Sequence, residues 1–469
     1  MYIQQLYTNC LSEAAYYVES QGEAAIIDPL RDIDAYIKLA AERKATIKYI
    51  FETHFHADFV SGHLDLAKAT GAPIIYGPNA ETQFPIRKTT NGEVIKLGAL
   101  QFTVLHTPGH TLESTCYLLK DEQGKDHCVF TGDTLFVGDV GRPDLAQKGA
   151  DLTMEELAGM LYESIQKQLV PLADDVIVYP AHGPGSSCGK NLGPNTFSTI
   201  GEEKATNYAM KAATKESFIE QVTDGIAAPP PYFPINARIN KEGYDPLDAV
   251  IEKGMTALSV TDFKSATKDE TILLDTRPAA TFTLGFVPGS ISIGLEGRFA
   301  EWAGGLLPFD APILLITEVG KEKESIIRLA RVGFHRIDGH LQGGFEAWTK
   351  AGEETDLIID VEADELLMDI PHDPNLLVLD VRRENEFAGA HLKDALNFPL
   401  GNMTDPGSMS TIEDTQNLYV HCAGGYRSVI ACSLLKRQGF HQLRNVLGGW
   451  SAISKEEKAQ IVKEAALAR

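Results

Sequence analysis

Two groups of residues in this chain are of the type and spacing that do chemistry. The first is histidine- and carboxylate-rich. Thr53-His54-Phe55-His56-Ala57-Asp58-Phe59 follows the apolar stretch TIKYIFET (46–53), and His110 in TPGHT, Asp133 in FTGDT and His182 in YPAHG come later. A lone histidine says little, but several imidazoles and carboxylates, each just past an apolar run, form a set able to hold a transition metal. The second group is built around a thiol. Cys422 ends the apolar run NLYVH, and Ala423-Gly424-Gly425-Tyr426-Arg427 leads to Ser428 at the start of a helix-like stretch. Glycines let successive backbone N–H groups converge on one centre. The helix start and Arg427 add positive potential. Such a loop would cradle an anionic sulfur on Cys422, as thiolate or persulfide.

The elements that must position these residues are legible as alternating strands and helices. EAAIID (23–28), LQFTVLH (100–106), CYLLK (116–120), HCVFTGD (127–133) and DVIVYPAH (175–182) read as strands ending in polar residues, and DIDAYIKLAAERK (32–44) has helical spacing. The segment 228–246, APPPYFPINARINKEGYDP, is Pro-rich and aperiodic, which predicts a linker or wrapping arm. Beyond it lies an internal repeat. LLDTRPAATFTLGFVPGSISI (273–293) matches VLDVRRENEFAGAHLKDALNF (378–398), and GGFEAW (343–348) matches GGWSAI (448–453), both at an offset of 105 residues. Each repeat alternates strand and helix, predicting a small α/β domain with a parallel sheet. The expected organisation is therefore three domains, 1–245, 246–355 and 356–469.

Composition narrows the function classes. A chain of 469 residues, 43% hydrophobic and 23% charged, reads as globular and long enough for several cores. Its net charge of −23 argues against nucleic acid and anionic membrane as partners, although a small anionic substrate is still compatible. No apolar run is long enough to span a bilayer, and the start MYIQQLYTNCLSEAAYYVES lacks the pattern of a secretory signal. Six cysteines without a CxxC pair are too sparse for a disulfide scaffold. A reducing, cytoplasmic protein is expected, and a homo-oligomer is compatible with everything in the sequence.

The histidine–carboxylate pattern over residues 1–245 resembles the metallo-β-lactamase superfamily, which implies an αββα sandwich. Two-metal hydrolases of that family, of the glyoxalase II type, carry T-H-x-H-x-D-H. Here Phe59 stands at the final histidine position and cannot ligate a metal, so a mononuclear centre is expected. His54, His110 and Asp133 would form a two-histidine, one-carboxylate triad with open positions on one side, as in non-haem Fe(II) oxygenases. Within the family this triad belongs to the persulfide dioxygenases. The resemblance implies one Fe(II) per chain on His54, His110 and Asp133, with His56, Asp58 and His182 orienting the ligands and bound water. The alternative is zinc held by His54, His56 and His110, with a bound hydroxide for hydrolysis.

The thiol part of the substrate is less defined. Arg142, in the loop after Asp133, is a candidate for a substrate carboxylate or phosphate. Glutathione-using relatives carry His-Asp-Tyr after the last histidine, whereas this chain has His182-Gly183-Pro184-Gly185-Ser186-Ser187-Cys188-Gly189-Lys190. That departure leaves glutathione, coenzyme A and bacillithiol as alternatives, with Arg142, Cys188 and Lys190 as candidate binding residues.

The Cys422 loop resembles that of the rhodanese sulfurtransferases, with Asp380 and Arg382 matching the D-x-R motif expected to buttress it. Cys432, in helix-like sequence, reads as a packing cysteine. The middle repeat has no cysteine anywhere between 189 and 421, and Glu318 or a neighbour takes the Cys422 position. It is expected to keep the rhodanese fold without the chemistry. The whole chain thus resembles the bacterial persulfide dioxygenase–sulfurtransferase fusions: an α/β multidomain protein, a metallo-β-lactamase αββα sandwich followed by two rhodanese-like α/β domains with parallel sheets. The resemblance implies oxidation of a low-molecular-weight thiol persulfide by O₂ to sulfite, and sulfur transfer through Cys422 to give thiosulfate. A zinc-dependent glyoxalase II-type thioester hydrolase joined to a sulfurtransferase is the alternative.

Overall fold

The computed structural model describes residues 1–146, 151–409, 411–413 and 415–463. It divides into two compact units, Met1–Ala249 with Leu329–His335, and Val250–Arg328 with Arg336–Arg469. The end of the predicted 356–469 domain lies outside the described residues.

The first unit contains two six-stranded sheets. One runs in chain order through β1 (Tyr2–Thr8), β2 (Glu13–Ser20), β3 (Glu23–Ile27), β4 (Thr46–Phe51), β5 (Ile74–Tyr76) and β6 (Arg87–Lys88). The other is formed by β7 (Val94–Leu97), β8 (Leu100–His106), β9 (Thr115–Lys120), β10 (Asp126–Gly132), β11 (Ile177–Pro180) and β12 (Ser198–Thr199). Alternation along each strand assigns the faces. On β2, Tyr16 and Val18 enter the same core as Phe102 and Phe130 of the second sheet, and Phe51 packs on Phe102 at 4.8 Å between ring centroids. The intervening Ala15 and Tyr17 face outward to α1 (Asp34–Arg43) and α2 (His63–Thr70), joining Tyr36, Ala40 and Leu66. The second sheet likewise turns Cys116, Leu118 and Val129 toward α3 (Met154–Ser164) and α4 (Lys215–Thr223) through Leu161 and Phe218. Helices on both outer faces and two sheets between them make the expected αββα sandwich.

The arm 228–246 departs from expectation. It is not aperiodic throughout, because Phe233–Glu242 is an α-helix. Pro234 sits in its first turn, where a missing N–H costs nothing and the fixed φ suits helix entry. The prolines that read as a linker therefore also start a helix.

The second unit holds two five-stranded sheets with one topology. The middle repeat has β13 (Ala257–Leu258), β14 (Ile272–Asp275), β15 (Ile291–Ser292), β16 (Ile313–Ile316) and β17 (Ile337–Leu341), ordered β13-β17-β16-β14-β15. The last repeat has β18 (Ile359–Val361), β19 (Leu376–Asp380), β20 (His391–Leu392), β21 (Leu396–Asn397), β22 (Asn417–His421), β23 (Leu443–Val446) and β24 (Ile461–Val462). Its main sheet is ordered β18-β23-β22-β19-β21, while β20 and β24 pair separately. Every pair in the two main sheets is parallel. The central strands are buried and Leu-, Ile- and Val-rich, as parallel strands covered on both faces must be.

Register locates the residue that replaces the cysteine. Asp275 pairs with Ile316 in the middle repeat, and Asp380 pairs with His421 in the last. The next residue is Thr317 in one and Cys422 in the other. Thr317 is buried and Glu318 is exposed. The position therefore carries a neutral hydroxyl with an acid beside it, rather than the acid itself.

Candidate metal centre and sulfur-transfer loop

The metal-type residues converge at the strand ends of the first unit. His54, His110 and Asp133 are all buried, with three ligand atoms within 4.8 Å of one another. Backbone and side-chain contacts fix which nitrogen of each ring faces inward. Thr53 Oγ1 donates to Asp28 at 2.9 Å, so it accepts from His54 Nδ1, also at 2.9 Å. His110 Nδ1 donates to the carbonyl of Arg142 at 2.8 Å. Both rings therefore turn Nε2 toward Asp133 Oδ2, at 3.7 Å from His54 and 3.4 Å from His110. Close approach makes this possible at Gly141, where a Cβ would lie 2.0 Å from the Asp133 carbonyl oxygen and 2.8 Å from His110 Nδ1.

Both carboxylate oxygens of Asp133 are buried without a hydrogen-bond donor. A buried carboxylate left so beside two imidazole nitrogens is unfavourable unless a cation joins them. The donor set fits a divalent metal. Burial and the neighbouring imidazoles of His56, His110 and His182 hold the His54 pKa well below the usual histidine range, which favours the neutral, ligating form.

A second group lies alongside. His56, Asp58 and His182 also present ligand atoms within 4.8 Å of one another. His182 Nδ1 bonds the Ser12 carbonyl at 3.2 Å and its Nε2 lies 3.5 Å from Asp58 and 3.6 Å from Asp133 Oδ1. His56 Nε2, however, is 3.1 Å from Asp28 and 3.7 Å from Glu52. Burial would depress its pKa, but Asp28 and then Glu52 outweigh this and push it up to about 9. Phe59 is fully buried and lies over His56 at 4.3 Å between ring centroids, with His182 at 6.4 Å. An apolar ring thus occupies the flank of this second group. Cys188 reaches the cluster too: its sulfur, Asp133 and His182 present atoms within 4.8 Å of one another. Burial first, then Asp58 and Asp133, hold the Cys188 thiol well above the usual range and so protonated.

The two basic candidates have other partners. Arg142 is buried and makes a two-pronged pair with Asp144 at 2.7 and 2.8 Å, with further donation to the carbonyls of Ser187 and Ala227. A guanidinium so committed has little left for a substrate anion. It holds the loop whose carbonyl orients His110. Lys190 Nζ donates to the Gln221 carbonyl at 3.0 Å. The expectation that these two side chains meet the substrate is therefore revised: both fasten loops around the centre.

Two residues not singled out from sequence hold the site's loops. Asn240, on the helix of the 228–246 arm, donates to the His56 and Phe59 carbonyls at 2.8 Å each and accepts from Ser61 N at 2.9 Å. It closes the His54–Asp58 loop from the far side. Asp139 accepts from Lys190 N at 2.7 Å and from Tyr208 Oη at 2.8 Å, tying the Cys188 loop down. No local motif marks so distant an asparagine as a loop clamp.

In the second unit, Cys422 is buried at the end of β22, and α6 (Tyr426–Arg437) begins four residues later; its middle-repeat counterpart is α5 (Glu322–Arg331). Gly425, in the left-handed region at φ 111°, donates its N–H to Cys422 Sγ at 3.1 Å. Ser428 Oγ lies 3.7 Å from the same sulfur. Arg427 does not project freely; it pairs with Glu386 through both terminal nitrogens at 2.7 and 2.8 Å. Its charge is thus offset locally, contrary to the expectation that it adds net positive potential to the loop. Asp380 and Arg382 form a buried pair at 2.6 Å, and the guanidinium lies 4.5 Å over Trp450. Trp450 N in turn donates to the Cys422 carbonyl at 2.7 Å. The D-x-R pair therefore supports the loop through Trp450. Cys432 is buried within α6, as a packing residue would be.

Comparisons with known proteins agree with this fold and order of domains. The metallo-beta-lactamase superfamily matches residues 8–182, and the rhodanese-like domain matches twice, at 259–351 and 362–456. Hydroxyacylglutathione hydrolase GloC of Haemophilus influenzae is 28% identical over 211 residues, 40% of this chain and 88% of that enzyme. The mitochondrial hydroxyacylglutathione hydrolase of Saccharomyces cerevisiae is 31% identical over 192 residues, 40% of this chain and 66% of that enzyme. Among solved structures, a metallo-beta-lactamase from Staphylococcus aureus subsp. aureus COL is 32% identical with a TM-score of 0.65, covering 73% of this chain and 99% of that one. The chain therefore belongs to the metallo-beta-lactamase superfamily, carrying that fold in its first part and rhodanese-like domains in its second.

Proposed function

We propose that this protein is an iron-dependent dioxygenase of low-molecular-weight thiol persulfides joined to a Cys422 sulfurtransferase. The observation that carries the reading is Phe59, whose ring packs against His56 where two-metal hydrolases of the family carry a ligand histidine. That supports one metal ion rather than two. His54, His110 and Asp133 would hold Fe(II), which when bound supplies redox chemistry with open positions for sulfur and O₂. Thr53 and the Arg142 carbonyl keep the two imidazoles turned inward. His56, Asp58 and His182 lie beside the triad, placed to orient substrate and water. Cys188 stands next to Asp133, where it would meet the sulfur end of a substrate.

The overall oxidation is R–S–SH + O₂ + H₂O → R–SH + SO₃²⁻ + 2 H⁺. In the second half, Cys422 takes a sulfane sulfur from another persulfide and sulfite attacks it, leaving as thiosulfate. Gly425 N–H would hold the sulfur anion throughout. The thiol is of glutathione, coenzyme A or bacillithiol type, and the physiological sense is sulfide detoxification in the cytoplasm. Protein purified anaerobically under reducing conditions should hold about one iron per chain and consume O₂ with one of these persulfides; no uptake with any of them in iron-replete protein would overturn the reading.

The alternative is a zinc-dependent thioester hydrolase of glyoxalase II type. It is favoured by the presence of His56, Asp58 and His182 as a second potential ligand group, and by the names of the curated relatives. One or two zincs per chain with thioesterase activity would establish it.

A further inference from the structure

The cysteine-free middle repeat has no assigned part in this chemistry. Its contacts with the last repeat suggest one. Gly424 and Gly425, between Cys422 and Tyr426, face open space: a Cβ on either would meet nothing within 4 Å. Within the last repeat the loop is held by its carbonyls: Cys422, Ala423 and Gly425 accept from Trp450 N, Ser451 N and Ser428 Oγ at 2.7, 3.0 and 3.0 Å. These contacts leave the outer side of Gly424 and Gly425 open, so the aim of the sulfur-facing N–H of Gly425 depends also on how the two ends of the loop are fixed. At one end is β22. At the other is Tyr426, whose hydroxyl donates to the carbonyl of Gly294 in the middle repeat at 2.8 Å. The Tyr426 ring also lies against Gly294 and Gly297, where a Cβ would come to 3.7 and 3.6 Å of it.

The receiving carbonyl is rigidly held. Gly294 follows β15 and lies between Ile293, whose N–H bonds the Asp275 carbonyl at 2.9 Å, and Leu295, whose N–H bonds the Thr276 carbonyl at 3.2 Å. Both partners stand at the end of the central strand β14. The buried Asp275–Arg277 pair, at 2.6 Å, braces that same strand end. The middle repeat thus offers a fixed acceptor, and the last repeat reaches it with the residue next to Gly425.

We infer that the middle repeat is an internal clamp for the sulfur-transfer loop, and that Tyr426 is the positioning residue through which it acts. Tyr426 does not touch the reacting sulfur; it fixes the peptide that does. The repeat keeps the rhodanese sheet and the D-x-R pair because the clamp needs a rigid strand end, while its own cysteine position is free to be Thr317. The inference rests on Cys422 being the sulfur-carrying residue.

The test uses the full chain. Tyr426→Phe keeps the ring and removes the hydroxyl. Sulfur transfer from thiosulfate to cyanide should fall about two- to tenfold in kcat, the range of one lost hydrogen bond, with KM for thiosulfate changed less than about twofold. Hydrogen exchange should speed up in the peptide containing Gly425. Ser433→Ala is the comparison variant. Its hydroxyl accepts from Ser292 N at 3.0 Å, a second contact between the repeats away from the loop. It should leave both readouts at wild-type values, which separates loop positioning from general loosening between the repeats. Wild-type kcat and wild-type loop exchange in Tyr426→Phe would overturn the clamp, as would equal effects in the two variants. If the wild-type chain transfers no sulfur at all, the sulfurtransferase reading fails, and exchange in the Gly425 peptide still decides whether the clamp exists.

Discussion

Three substitutions probe the metal centre directly. Asp133 faces both histidine groups, through Oδ2 to His54 and His110 and through Oδ1 to His182, and among the described residues neither oxygen has a hydrogen-bond partner. Asp133→Ala should abolish iron retention and O₂ uptake, read by metal analysis and an oxygen electrode, while transfer from thiosulfate to cyanide persists. Phe59→His addresses metal number. It replaces an apolar ring beside His56 and His182 with an imidazole, so bound metal should rise from about one toward two per chain when zinc is supplied. Gly141→Ala tests the close approach at the Asp133 strand end. The added methyl would collide with the Asp133 carbonyl and the His110 ring, so metal retention should drop even though no ligand is altered.

At the scale of elements, the arm over 228–246 is the informative case. Its prolines and lack of long periodicity read as a connection, yet ten residues of it form a helix that delivers Asn240 to the metal loop. Asn240→Ala should lower unfolding stability by roughly 1–3 kcal/mol, because it strands buried carbonyls at His56 and Phe59. A denaturant melt measures this, and the same variant should lose metal faster to a chelator. By contrast, β8 runs from Leu100 to His106, the apolar stretch read as a strand, with burial alternating along it, and β9 and β10 end within one residue of expectation. Alternation on a half-buried strand is a local property and survives folding unchanged. A short helix held by tertiary contacts leaves a much weaker trace.

Over the whole molecule, the two candidate sites sit on separate folds in one chain, and the activities proposed for them should be separable. Cys422→Ser should leave persulfide-dependent O₂ uptake intact and make sulfite accumulate in place of thiosulfate, measured by product chromatography. Loss of O₂ uptake in that variant would mean that the sites depend on one another. The repeat organisation makes the same point from a different side. Two main sheets of identical strand order carry the same Asp–Arg pair at 2.6 Å, and of the equivalent strands β16 and β22 only β22 is followed by cysteine. The two repeats share the pair and the sheet, and they differ at the cysteine and its loop, where the proposed sulfur transfer would reside.

Residue types and their places at strand ends brought forward His54, His110, Asp133 and Cys422 as candidates, and the fold gathers the first three within 4.8 Å of one another, because a strand delivers the residues just beyond its C-terminal end to the sheet's edge whatever lies elsewhere. The 105-residue offset likewise revealed the duplicated α/β architecture before any contact was known. Linear order left open the use of long polar side chains. Arg142 is taken by Asp144 and two carbonyls, Arg427 by Glu386, and Tyr426 by Gly294, the last across 132 positions. A guanidinium or phenol reaches several ångströms in any direction, so its partner depends on which segments folding brings alongside it. Periodicity and spacing carry no record of that, and the three-dimensional packing assigned these groups to holding loops in place.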